Sequence, residues 1–277
     1  MTAPLIGPAS APDLHVMSLN VRRPVHGLAR RRADRWEARR PRLRELLRVE
    51  RPTILGVQEA LPRQADVIAD ALGAGCRFVG RGHRAGYRGE GCPLFYDASR
   101  LELLSGEQRA LSDTPHVAGS RSWGNPIPRI VVSATFRDRS TGAAFFVVNT
   151  HLDPFSPRSR VRAADTIRRL IAAQSLPAVV TGDLNARPGS PAVEGLLRDG
   201  LLGDSWVAAE ERLTPEWGTW ANYRTPRPGA RIDWIMTSAS VAVRRAAIHG
   251  TPVGGGWASD HLPVQVLLRM PPKETTS

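Results

Sequence analysis

Lysine is nearly missing from this chain of 277 residues: Lys273 is the only one among its 38 lysines and arginines. Cysteine is almost as scarce, and Cys76 and Cys92 have no CxxC spacing, which argues against a disulfide framework or a structural zinc site. No apolar run approaches the roughly 18 residues that a membrane-spanning helix needs. Residues 1–12 lack a basic start and a continuous apolar stretch, so they read as a loose tail and not as a secretory signal. The expected compartment is the cytoplasm, with no membrane partner. Also missing are a GxSxG elbow, an HExxH helix and a P-loop, which leaves three common hydrolase designs without support.

Apolar residues make up 42% of the chain, enough for one large α/β domain or two small ones. No linker divides it, so residues 13–269 are expected as one domain between the tail of 1–12 and a polar tail of 270–277. The net charge is +12. Such a field attracts polyphosphate through counterion release, but a bias carried almost wholly by arginine is also what GC-rich coding produces. Both readings stay open. The most basic stretch, Arg30 to Arg44, contains Trp36, Leu43, Leu46 and Leu47, an apolar stripe that would make its arginines the solvated face of a helix.

Four short apolar runs, Leu14 to Leu19, Ile54 to Val57, Phe145 to Val148 and Ala178 to Val180, read as strands buried in a core. Helices are expected over Arg35 to Val49, with Pro41 in the first turn of a second helical piece, and over Leu61 to Leu72, closed by Gly73. Two more, Arg158 to Gln174 and Ala192 to Arg198, are each introduced by a Ser-Pro pair. A charged, glycine-rich loop, Gly80 to Gly91, and the β-like segments Pro93 to Tyr96 and Ile130 to Phe136 lie between them. Strands and helices alternate without an internal repeat.

The buried runs end in polar residues. Ser18-Leu19-Asn20, Gln58-Glu59, Asn149-Thr150-His151 and Gly182-Asp183-Leu184-Asn185 close them, and Arg231-Ile232-Asp233-Trp234-Ile235 and Ser259-Asp260-His261 complete the set. If the strand ends gather at one edge, Asn20, Glu59, His151, Asp183 and Asn185 converge there. Oxygen ligands and imidazoles so arranged suit hydrolysis of a phosphate ester. That reaction needs positive charge on the phosphoryl oxygens, an activated water and help for the leaving oxygen.

Glu59, with Asn20 and Asp260, offers the hard oxygen ligands that suit Mg²⁺ or Mn²⁺. Asp183 and Asn185, two positions apart, can face one side and hold a water between them. Asp183 is expected to orient or deprotonate that water, and Asn185 to position it or a phosphoryl oxygen. Taken alone, this string is equally well a plain β-turn. Asp233 in an apolar strand needs a partner if it is ionised. His261 is the candidate, because a carboxylate on one ring nitrogen fixes the tautomer and favours the protonated imidazole.

Together and in this order, the motifs resemble the endonuclease/exonuclease/phosphatase superfamily of metal-dependent hydrolases, from Ser18 to His261. The resemblance implies a four-layered α/β sandwich, with two mixed β-sheets packed face to face and helices outside. It implies Glu59 as the direct metal ligand, with Asn20 and Asp260 assisting, partly through water. It places the Asp233 and His261 pair at the scissile phosphate and makes His151 a second phosphate contact. Whether His261 acts as a base or as an electrostatic clamp stays open.

Weaker candidates for substrate binding are Glu90, Trp123 and Arg129, whose segments resemble one bacterial subgroup of general hydrolases, as does Trp36 to Pro41. Arg129 could fork two hydrogen bonds to a phosphate or make a structural salt bridge. His83, Arg84 and Arg88 lie in a loop that could cap a substrate or be solvated surface. Trp217 and Trp220 could stack on a base or sugar or simply pack. Two departures narrow the substrate: Arg22 stands where abasic-site endonucleases carry an acidic residue, and no aromatic membrane hairpin is found. The expected function is Mg²⁺-dependent hydrolysis of a small phosphomonoester or phosphodiester by in-line attack of water. Cleavage of DNA or RNA is the alternative, and a non-catalytic nucleic-acid-binding protein on the same fold is the alternative of a different class.

Overall fold

Along the first strand, β1 (Asp13–Asn20), Leu14 and Val16 enter one apolar cluster while Met17 and Leu19 enter another. Successive strand residues point to opposite faces, so a strand that is apolar on both must be covered on both. That requirement is met by four layers in the computed structural model, which describes residues 3–24 and 31–272.

The next strands are β2 (Ile54–Gln58), β3 (Cys76–Val79), β4 (Leu94–Asp97), β5 (Leu101–Ala110), β6 (Ile130–Asp138), β7 (Ala144–His151) and β8 (Ala178–Asp183). They are followed by β9 (Gly203–Asp204), β10 (Glu211–Arg212), β11 (Asp233–Thr237), β12 (Ala242–Ile248) and β13 (Val264–Arg269). The α-helices are α1 (Trp36–Glu50), α2 (Pro62–Leu72), α3 (Pro157–Ala172), α4 (Pro191–Leu197) and α5 (Ser205–Ala208). One sheet has the order β10-β12-β13-β1-β2-β4-β3 and the other β5-β6-β7-β8-β11-β9. Val16, Ile54, Leu94, Val132, Val147 and Ile235 fill the space between them. Helices α1 and α2 cover the first sheet through Leu43, Leu47 and Ile68, and α3 and α4 cover the second through Ile167, Ile171 and Leu196. The chain thus forms the expected four-layered sandwich of two mixed sheets.

Parallel pairing decides where the polar strand ends go. β1 and β2 are parallel, with Asn20 opposite Gln58, and β7 and β8 are parallel, with His151 opposite Asp183. β11 runs antiparallel to β8, which sets its first residue, Asp233, opposite Asp183. Behind this edge the sheets come close. A Cβ added at Gly56 would collide with Thr181 Oγ1 and lie 2.8 Å from Asn149 Oδ1. In the space so gained, Gln58 Nε2 donates to Asn149 Oδ1 at 2.8 Å, and Asn149 Nδ2 donates to the Val57 carbonyl at 2.8 Å. This buried bridge ties β2 to β7 beside Glu59 and His151, although Gln58 Oε1 is left without a hydrogen-bond partner.

Several local expectations change. Helix α1 is a single helix with Pro41 inside it; Pro41 is exposed, so solvent can take up the carbonyl that its missing N–H leaves unpaired. The segment expected as a loose tail is tied down: the Leu5 and Gly7 amides donate to the buried Glu50 carboxylate at 2.8 and 3.0 Å. In the basic stretch, Arg30 lies outside the described residues and Arg39 is fully buried instead of solvated. Strand β5 was not legible because its middle, Glu102 to Gln108, is largely exposed and polar and shows no apolar alternation. Cys76 and Cys92 are both free. Among the described residues, no helix is long and apolar enough to cross a membrane. Residues 273–277 of the C-terminal tail lie outside the described residues.

Candidate active site

Asn20, at the end of β1, joins the two sheets. Its Nδ2 donates to Glu59 Oε1 at 3.1 Å and to Asp183 Oδ2 at 3.0 Å. Glu59 adopts a left-handed φ of 62°, a costly conformation outside glycine that persists only where its surroundings enforce it. Its Oε2 accepts from the Arg23 amide at 3.0 Å. The backbone after Asn20 is held by Arg39, whose buried guanidinium donates to the carbonyls of Val21 at 2.7 Å and Arg22 at 2.9 Å. From the other side, Ser259 Oγ donates to the Asn20 carbonyl at 2.5 Å and accepts from the His261 amide at 3.2 Å.

Three buried ionisable groups stand in line. His261 Nδ1 is 2.8 Å from Asp233 Oδ2, and His261 Nε2 is 3.8 Å from Asp183 Oδ2. Burial alone would lower the His261 pKa, but Asp233 and Asp183 outweigh it and push it up to about 10. Burial, and then the Asp233 charge, push Asp183 up to about 7 against the opposing pull of His261 and the Asn20 amide. Asp233 is held at its backbone by Thr219, whose Oγ1 accepts from the Ile232 and Asp233 amides at 2.9 and 3.1 Å.

The turn after β8 supplies the second imidazole's partner. Asn185, at φ 48°, donates its amide to Asp183 Oδ1 at 2.9 Å. Its Nδ2 donates to His151 Nε2 at 3.0 Å and to the Leu152 carbonyl at 3.0 Å. Burial first, then the charges of Arg129 and His261, hold His151 well below the usual imidazole range, so this ring is neutral and can accept the Asn185 hydrogen bond.

These groups open into one cavity of ≈ 540 Å³. Its lining includes Glu59, His151, Asp183, Asn185, Asp260 and His261, and also Arg22, Arg23, Glu90 and Arg129. Arg22, in place of an acidic residue, lies 3.3 Å from Asp34 Oδ1 and 3.7 Å from Asp260 Oδ2. Trp123 does not line the cavity: its indole N–H donates to Asp113 Oδ1 at 2.8 Å and its ring packs on the helical side of the second sheet. His83 is buried, and Arg84 and Arg88 are exposed away from the cavity lining, so these three residues do not cap it, although Glu90 of the same loop lines it. Trp217 packs against the core between the sheets, whereas Trp220 lines the cavity. Arg39, Thr219 and the Gln58 and Asn149 bridge had no sequence signal as positioning groups, because each acts through a partner distant in the chain.

The donors fit a hard divalent cation. Glu59 and Asp260 line the cavity with carboxylate oxygens of the kind that suits Mg²⁺ or Mn²⁺, while Asn20 turns its Nδ2 to Glu59 and its Oδ1 accepts from the Arg22 amide at 2.9 Å. Asp183, Asp233 and His261 are packed more tightly, with one candidate ligand atom from each within 4.8 Å of the others. There, however, the imidazole nitrogen facing Asp233 is already engaged and the flanking carboxylates favour the protonated ring, which ligates nothing.

A sequence model of the Endonuclease/Exonuclease/phosphatase family matches residues 17–261. Protein angel of Drosophila melanogaster is 32% identical over 219 residues, 73% of this chain, and the chain spans only 59% of that relative's length. An endonuclease/exonuclease/phosphatase family protein from Bacteroides thetaiotaomicron superimposes with a TM-score of 0.86 at 28% identity, covering 93% of this chain and 98% of that one. A mannosyl-6-phosphatase of the same organism gives a TM-score of 0.84 at 28% identity, covering 92% of this chain and 99% of that one.

Proposed function

Because the chain belongs to the endonuclease/exonuclease/phosphatase family, we propose that it is a phosphoesterase, and specifically a divalent-metal-dependent phosphomonoesterase of small molecules, with sugar phosphates the first candidates. The observation that carries this reading is that Glu59, His151, Asp183, Asp260 and His261 all line one cavity of ≈ 540 Å³, within the range of about 300–1,000 Å³ typical of small-molecule sites. Similarity to a mannosyl-6-phosphatase along nearly the whole chain supports the sugar phosphate.

In this reading Asp183, with a pKa near neutrality, orients the attacking water and takes its proton. Asn185 fixes the position of that water. His261, kept protonated by Asp233, holds a phosphoryl or leaving oxygen, and neutral His151 is a second phosphate contact. Glu59, with Asn20 and Asp260 assisting, would hold a divalent cation, which would supply positive charge to the phosphoryl oxygens. The net charge of +12 favours, as a second reading, a phosphodiester in a nucleic acid.

The test is inorganic phosphate release from sugar, inositol and nucleotide monoesters, with Mg²⁺ and with chelator, using Asp183→Ala as control. Metal-dependent release that the variant lowers by at least about 10²-fold is expected. Silence across the panel would move the weight to diesters.

A further inference from the structure

Two large aromatic side chains at the cavity are left in solvent. Phe155 is 70% exposed and Trp220 57% exposed, and both line the cavity that holds Asp183 and His261. A single exposed aromatic is ordinary, but two on the lining of one largely polar cavity are apolar faces open to a ligand.

Their backbones are far from loose. Phe155 follows the end of β7 by four residues, and its amide donates to Asp153 Oδ1 at 2.9 Å, as does the Ser156 amide at 2.7 Å. Asp153 is itself buried, with Oδ2 3.5 Å from Arg129 Nε. Trp220 pairs its backbone with His261 in an isolated bridge, and the Leu262 amide donates to the neighbouring Thr219 carbonyl at 2.7 Å. Trp220 is thus carried by a backbone paired with His261, and Phe155 by one tied to the buried Asp153, while their faces stay uncovered. Rigid presentation of an exposed ring is what a stacking surface needs, because little ordering entropy is then lost on binding.

Resting on the phosphomonoesterase reading, we propose that Trp220 and Phe155 form the leaving-group subsite and select monoesters whose organic part is a hydroxylated ring. The ring's C–H face would stack on the aromatics, while its hydroxyls meet polar groups of the same lining, Asn222, Arg23 and Glu90. An acyclic phosphate has no such face and gains nothing there.

The experiment compares kcat/KM for a hexose 6-phosphate and for glycerol 3-phosphate in wild type, Trp220→Ala and Phe155→Ala, with Mg²⁺. The hexose-to-glycerol ratio is expected to fall by about 10-fold or more in Trp220→Ala, in line with the loss of one stacking contact, mostly through KM, with recovery in Trp220→Phe. An equal loss on both substrates would overturn the subsite and leave Trp220 as a support for His261. Calorimetric binding of the hexose 6-phosphate to Asp183→Ala, with and without Trp220→Ala, reads the subsite without turnover. Absent binding, or binding that Trp220→Ala leaves unchanged, also overturns it. A wild type that releases no phosphate from either compound while its Asp183→Ala form still binds the hexose through Trp220 would sink the phosphomonoesterase reading and leave the subsite standing.

Discussion

His261 bridges two carboxylates that strand register sets opposite each other: its Nδ1 is 2.8 Å from Asp233 Oδ2 and its Nε2 is 3.8 Å from Asp183 Oδ2. The imidazole is protonated because of these neighbours, despite its burial. Asp233→Asn keeps the shape and removes the charge, so turnover should drop by about 10²-fold or more with near-normal thermal stability. Steady-state kinetics beside a melting curve would check this, and unaltered turnover would remove Asp233 from the mechanism.

Glu59 is the carboxylate expected to carry most of the cation's binding. Glu59→Gln retains the side-chain volume and loses the charge. Its Mg²⁺ affinity, read by calorimetry and by the Mg²⁺ concentration giving half-maximal activity, should weaken by at least about 10-fold, the lower end of what even outer-shell changes cost a metal site. Chelator should abolish activity in both proteins, and Mn²⁺ should restore it in the wild type.

Glu50 holds the N-terminal segment. Its fully buried carboxylate accepts from the Leu5, Ile6 and Gly7 amides. Glu50→Ala leaves these donors without their partner, and the cost should be about 3 kcal/mol, measured by urea unfolding. A loss below about 0.5 kcal/mol would mean that the segment contributes nothing to the fold.

His83 makes the folded state acid-sensitive. Burial first, then the charges of Arg129, Arg84 and Arg23, lower its pKa from 6.5 to about 4. Between those values the unfolded chain binds more protons than the folded one, so stability is full above about pH 6.5 and falls as the pH drops towards about 4. His83→Asn should flatten the dependence of the melting temperature on pH over that window. His15 and His249, also lowered mainly by burial, contribute slopes of the same sign, so the flattening is partial.

The chain's residue types and their order pointed to the chemistry and to strands buried on both faces, while the four-layered arrangement was implied only by the family resemblance. Strands such as Leu14 to Leu19 are apolar on both faces and so must be buried between layers, and their polar last residues can only emerge at a rim. Asn20, Glu59, His151, Asp183 and Asn185 were therefore legible as a set in the sequence. Tertiary structure alone decided which groups hold that set in place. Arg39 reaches back to the Val21 carbonyl, Gln58 crosses between sheets to Asn149, and Glu50 gathers the N-terminal amides; each pairing joins residues far apart in sequence, where periodicity carries no information. Exposure was decided there as well. Trp217 and Trp220 sit three residues apart in similar sequence surroundings, yet one packs on the core and the other faces the cavity, because the bridge from Trp220 to His261 fixes how that segment crosses the sheet edge.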